Sequence, residues 1–219
     1  MNYYPTPRSC QIKPLSKIFL YCFGKKTDGY FVDVGAYDGV QYSNTWGLAS
    51  IGWGGLCVEP IEAYYLKCKE NHARHPDVKV LQQCISNQEG NLDMLVADVY
   101  STYHAFQPTT KLRSGLYKDA QRVSVSATTL DHALKDNNVQ PGFEVLSVDV
   151  EGAELDVLAG FDINYWQPRM CIVEAHEWHL HSEMRAHAPD INAYFGKAHY
   201  WKIFSDDANN IYVRGPVLT

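Results

Sequence analysis

The feature that most constrains this chain is a strand-then-helix alternation that recurs along its length. Five short apolar runs, at residues 30–36 (YFVDVGA), 54–60 (GGLCVEP), 78–86 (VKVLQQCIS), 143–150 (FEVLSVDV) and 169–175 (RMCIVEA), read as strands. Stretches of helical character follow them at 43–51, 61–75, 151–161 and 182–200, and the T-L-D at 129–131 opens another to about 137. Strands that alternate with helices of 10 to 15 residues form a parallel sheet covered on both faces. Ser43 or Asn44 is the expected N-cap of the first of these helices, Pro76 ends the second, and Glu151 and Glu154 are expected in the first turn at 151–161.

Other elements frame this core. Leu15, Ile18, Phe19 and Cys22 recur at helical spacing and predict a leading helix over Leu15–Phe23. Residues 1–14 carry Pro5, Pro7 and Pro14 without periodicity and read as an arm laid on the surface. Residues 92–98 suggest an added strand and 123–125 a short one. Residues 201–205 and 211–214, around 206–210, read as a terminal antiparallel hairpin. Residues 1–28 are thus taken as arm and leading helix, and 29–219 as one domain. The segment 99–121 has no clear period, and irregular loops of that length are often functional.

Composition narrows the function classes. Hydrophobic residues make up 46% and charged residues 20% of the 219, which disfavours disorder, collagen and coiled coil. Nineteen Lys and Arg against 25 Asp and Glu give a net charge of -6, without the basic footprint of a nucleic-acid binder or of a protein held on an anionic membrane. No apolar run approaches the roughly 20 residues that span a bilayer. Residues 18–23 are too short for a secretory signal and run into Lys25 and Lys26. None of the six cysteines forms a C-x-x-C pair, so a thiolate zinc site is not expected. Cys57, Cys84 and Cys171 lie inside apolar runs, as small hydrophobes do. The expectation is a reduced, cytoplasmic protein.

Four constellations carry chemistry. Asp33 ends a strand, and Gly35 and Gly39 punctuate the turn beyond it, around Ala36 and Tyr37. Ligands of open α/β sheets bind beyond the carboxyl ends of the strands. The turn lacks the G-x-G-x-x-G of dinucleotide binding. Asp33 suits a cationic ligand group such as the amino group of a methionine moiety, or else caps the turn. Glu59 lies 20 residues past Gly39, where a bidentate carboxylate can accept both hydroxyls of a ribose, or is a solvated charge before Pro60. Asp149 ends a further strand, and Glu174 and His176 alternate at the end of the next. Placed around one crevice, these three can act as general base or hold a divalent ion. No spacing specifies a metal, and none is expected. Glu154 is read as a helix-start charge, and His179 and His181 as exposed loop residues.

The segment GYFVDVGAYDGVQYSNTWGLASIGWGGLCVEP, with LSVDVEGAELDVLAGFD and CIVEAHE, resembles the FkbM-family S-adenosylmethionine-dependent methyltransferases from about Gly29 to Arg214. The T-L-D at 129–131 is similar too. The resemblance implies the class I methyltransferase fold: a Rossmann-like α/β three-layer sandwich with a mostly parallel seven-stranded sheet ending in an antiparallel strand. It implies S-adenosyl-L-methionine as cofactor and O-methylation of a sugar, glycan or small metabolite. It places Asp33, Gly35, Ala36, Tyr37 and Gly39 in the cofactor turn and Ser43 and Asn44 after it. Glu59 and Pro60 fall at the ribose, Cys84, Ile85 and Ser86 beside adenine, and Asp149 at the end of the fourth strand. Where relatives carry a Q-x-x-Q-D-like element, this chain reads SCQIKPLSK. Asp149 is the first choice of base, His176 the second, and Glu174 a residue that orients His176 or binds acceptor hydroxyls. Tyr100, Tyr103, His104, Phe106 and Tyr117 are candidates for an aromatic acceptor wall. The rival readings are a nicotinamide-dependent oxidoreductase, against which the missing G-x-G-x-x-G weighs, and an idle adenosine-binding module.

Overall fold

A computed structural model describes residues 3–98, 101–102, 120–175 and 187–215. In chain order the helices are α1 (Leu15–Phe23), α2 (Trp46–Ala49), α3 (Glu62–Asn71), α4 (Leu130–Asp136), α5 (Glu154–Ala159), α6 (Ile163–Trp166) and α7 (Ala188–Lys197). A 3-10 turn, His72–Arg74, extends α3. The strands are β1 (Tyr30–Val34), β2 (Gly54–Val58), β3 (Val78–Leu81), β4 (Cys84–Ile85), β5 (Gly90–Val96), β6 (Gln121–Thr128), β7 (Val145–Val148), β8 (Met170–Glu174), β9 (Tyr200–Ser205) and β10 (Asn209–Arg214). Seven of them form one sheet in the order β3-β2-β1-β7-β8-β10-β9. All pairings from β3 to β8 are parallel, and β10 runs antiparallel to both neighbours.

Alternation along the strands builds two cores. Val32, Val34, Leu56, Val58, Leu146 and Val148 join Leu130, Leu134, Val157, Leu158, Ile191 and Phe195 of α4, α5 and α7. Phe31, Cys57, Val145, Met170 and Ile172 join Leu15 and Phe19 of α1, with Leu48 and Trp53. Asp33 lies on β1 between Val32 and Val34, so its side chain takes the Phe31 side of the sheet. Val34 pairs with both Val58 and Val148, which levels the carboxyl ends of β1, β2 and β7. The strand order reverses between β1 and β7, the place where such sheets open a crevice.

Several expectations need correction. The arm is built into the second core rather than laid on the surface: Tyr4, Cys10 and Ile12 are buried. Tyr4 meets Phe19 and Trp53 edge-on, and its hydroxyl donates to the Gly24 carbonyl at 2.9 Å. The run at 78–86 divides after Leu81. β4 leaves the large sheet and pairs with β6, which also pairs antiparallel with β5, in a second, three-stranded sheet. The helix expected over 43–51 shrinks to α2, because the Ser43 hydroxyl accepts the N–H groups of Thr45 and Trp46 and holds 43–45 in a turn. Glu151 (φ 56°) and Gly152 (φ 103°) are left-handed, so α5 starts only at Glu154. The expected leading helix and terminal hairpin coincide with α1 and with β9–β10. Among the described residues, no helix is long and apolar enough to cross a membrane.

Candidate active site

Beyond the levelled ends of β1, β2 and β7 lie two hollows that share a rim. The first is lined by Val34, Val58, Glu59, Pro60, Ile61, Tyr64, Cys84, Ile85 and Met94, among others. The second is lined by Gln11, Asp33, Ala36, Ser43, Asn44 and Ser147, among others. Gly35, Tyr37, Asp149 and Glu151 line both. Two residues of this rim, Tyr37 (φ 50°) and Glu151 (φ 56°), hold left-handed backbone, a conformation that persists only where surrounding structure imposes it.

Glu59 is 5% exposed, so it is not a solvated charge. Its Oε2 accepts the Tyr37 N–H at 3.0 Å, and its Oε1 accepts the Ile61 N–H at 2.9 Å. Each oxygen keeps a further lone pair for a ligand donor. Burial pushes its carboxyl up to about 7; the two backbone N–H groups oppose the rise, and the Asp33 charge adds to it. Asp33 is equally buried and accepts from Thr45 Oγ1 at 2.6 Å. Burial raises it to about 6 against that hydrogen bond, with the Asp149 charge adding. Asp33 therefore both tethers the 43–45 turn and presents a carboxylate to the second hollow. Ser43 fixes that turn from within, and the Asn44 amide reaches Ser147 Oγ at 3.5 Å.

Asp149 stands on the rim, and its carboxylate, with those of Glu151 and Glu174, forms a group whose oxygens lie within 4.8 Å of one another. Glu174, at the end of β8, lines neither hollow. The turn carrying Asp149 is pinned by Glu154: its Oε1 accepts the N–H groups of Val150 and Gly152, both at 3.1 Å. Glu154 is in the first turn of α5, as expected of a helix-start charge, but at 3% exposure it is also a buried clamp. The sequence signal for it was its place two residues after the E-G pair.

The two glycines of the turn answer to the protein itself. A Cβ on Gly35 would lie 1.8 Å from the Asp149 carbonyl oxygen, so the close approach is between the β1 and β7 turns. A Cβ on Gly39 would lie 2.8 Å from Cys68 Sγ and His72 Nε2, and Gly39 lines neither hollow. Cys84 and Ile85 line the first hollow. Ser86 lies behind them, 1% exposed, its hydroxyl without a partner among the described residues. Lining residues that were not expected include Gln11, delivered by the buried arm, and Asp98, whose Oδ1 accepts the Tyr37 hydroxyl at 2.5 Å. His176, His179, His181 and the aromatic group Tyr100, Tyr103, His104, Phe106 and Tyr117 lie outside the described residues.

The sequence profile described as Methyltransferase FkbM domain matches residues 33–200. Among solved structures, the fold is similar to that of Methyltransferase FkbM from Methylobacillus flagellatus (12% identity, TM-score 0.54), over 85% of this chain and 44% of that one. It is also similar to Precorrin-6y C5,15-methyltransferase from Geobacter metallireducens (10% identity, TM-score 0.50), over 97% of this chain and 94% of that one. This chain thus spans less than half the length of the first. No curated protein is matched by the sequence. At such identities the structural likeness speaks for the class I methyltransferase fold alone.

Proposed function

The chain belongs to the FkbM methyltransferase family, and from that membership we propose that it is an S-adenosylmethionine-dependent O-methyltransferase acting on a hydroxyl of a sugar, glycan or small metabolite. The observation that carries the cofactor reading is the pairing of the hollows: a buried acid in each, at the carboxyl ends of adjacent strands, joined across one rim. A ligand with a ribose diol at one end and an ammonium group at the other fits that pair. Glu59 accepts from the diol. Asp33, steadied by Thr45, neutralises the ammonium. Pro60, Ile61, Cys84, Ile85 and Met94 provide apolar walls for a flat base. When bound, S-adenosylmethionine supplies a methyl group already activated for transfer.

The residues on the rim do the remaining work. Asp149 accepts the proton that the acceptor hydroxyl must lose, a role worth roughly 100- to 10,000-fold in rate. Glu174 and Glu151 beside it accept hydrogen bonds from neighbouring acceptor hydroxyls. His176 follows β8 by two residues and is the alternative base. Isothermal titration with S-adenosylhomocysteine and with NAD tests the cofactor reading: the first binds and the second does not. The reverse result overturns it. Transfer of labelled methyl to a panel of glycan and metabolite hydroxyls then tests the acceptor class.

A further inference from the structure

Behind the cofactor turn, away from both hollows, three soft ligand side chains converge. Cys57 comes from β2. Cys68 and His72 come from α3 and its 3-10 extension, four residues apart and therefore on one helix face. All three are buried, with exposures of 0%, 0% and 3%. One ligand atom from each lies within 4.8 Å of the other two, and Cys57 Sγ is 3.8 Å from His72 Nε2. A tetrahedral zinc with S at about 2.3 Å and N at about 2.1 Å sets those two atoms about 3.6 Å apart.

The surroundings match a ligand set as well. The other nitrogen of His72, Nδ1, is 3.1 Å from His75 Nδ1, so a hydrogen bond fixes the ring with Nε2 toward the thiols. Trp46 packs edge-on against both histidines, at 5.2 and 4.9 Å between ring centroids. Gly39 closes the cluster from the side of the cofactor turn, where any larger residue would press on Cys68 and His72.

We propose that Cys57, Cys68 and His72 form a buried site for a soft divalent cation, with Zn²⁺ as the test ion. The bound ion ties β2 to α3 behind the cofactor turn. As each S–Zn bond forms, its thiol releases a proton to solvent. Two thiolates, a dication and a neutral imidazole sum to no net charge, which is what a buried site tolerates. Three protein ligands leave the fourth tetrahedral position to a water. The absence of a C-x-x-C pair hid the site, because the two thiols come from different elements.

The test uses the full chain, reduced and stripped with a chelator, and needs no methyl-transfer assay. Titration is expected to load about one Zn²⁺ per chain with release of about two protons. Co²⁺ in its place is expected to give thiolate-to-metal charge-transfer absorption. Cys68→Ser should abolish that band, His75→Ala should weaken binding about tenfold through the lost ring contact, and Cys22→Ser should change neither. The wild-type measurements decide even where a variant fails to fold. No uptake, uptake without charge-transfer absorption, or a Cys57–Cys68 disulfide found by mass spectrometry in freshly isolated protein would each overturn the proposal.

Discussion

The hollow over Glu59 and the hollow over Asp33 share a rim but differ in origin and character. The first is lined largely by apolar residues that follow strand ends by a few positions: Pro60 and Ile61 after β2, with Cys84 and Ile85 in β4. The second is lined by hydroxyl, amide and carboxyl groups, and one of them, Gln11, comes from 19 residues before β1. A flat base is held by dispersion and apolar burial, whereas an amino-acid end is held by charge and hydrogen bonds. A single crevice at a switch point is thus divided into a more apolar half and a polar half.

Gly35→Ala attacks both halves at once. Its Cβ would press on the Asp149 carbonyl at 1.8 Å in a backbone with φ of 85°, so a stability loss above ~4 kcal/mol is expected in urea unfolding. A stable variant that still binds S-adenosylhomocysteine would break the idea of a shared rim. Asp149→Asn should lower turnover at least ~100-fold while S-adenosylhomocysteine affinity changes less than tenfold. If affinity is its only defect, Asp149 belongs to the cofactor and His176 inherits the role of base.

Paired variants then separate the halves. Glu59→Ala should weaken both S-adenosylhomocysteine and plain adenosine by ~1.5–3 kcal/mol, the scale of hydrogen bonds to a charged group. Asp33→Asn should weaken S-adenosylhomocysteine and spare adenosine. Equal losses for both ligands in both variants would erase the distinction.

The smallest effect is in pH. Glu59 titrates near 7 and Asp33 near 6 in the folded protein, both above their ordinary range of about 4. Between about 4 and 7 the native state therefore holds more protons than the unfolded chain. The stability these two groups contribute is complete at the acid end and lost as pH rises through 7. Ligand affinity runs the other way, rising as the carboxylates form. Wild type should bind S-adenosylhomocysteine more tightly at pH 8 than at pH 5.5, and Glu59→Ala should show a shallower rise; a flat wild-type profile would count against both acids as ligand contacts.

What the sequence made legible was local. β1, β2, β7 and β8 each follow an apolar run closed by a glycine or an acid, and those closures deliver Asp33, Glu59, Asp149 and Glu174 to strand ends. Long-range partners decided the rest. Tyr4 and Ile12 have no periodicity because their burial is set by Phe19, Trp53 and the second core, not by neighbours in the chain. Nothing in VKVLQQCIS marks the break after Leu81, since β4 leaves to meet β6, some 40 residues on. Glu154 read only as a helix-start charge because its two N–H partners exist only once Glu151 and Gly152 turn left-handed.

The second sheet has a consequence for how such an enzyme changes over time. Among the described residues β4, β5 and β6 pair with no strand of the large sheet, yet Met94 and Asp98 wall the Glu59 hollow. That wall is a cassette, joined to the large sheet through covalent connections and side-chain packing rather than through strand register. Its loops can lengthen, shorten or be exchanged with those of a relative while β1, β2 and β7 keep their alignment. Grafting experiments that exchange this wall should therefore cut within residues 87–127 and leave the strand ends untouched.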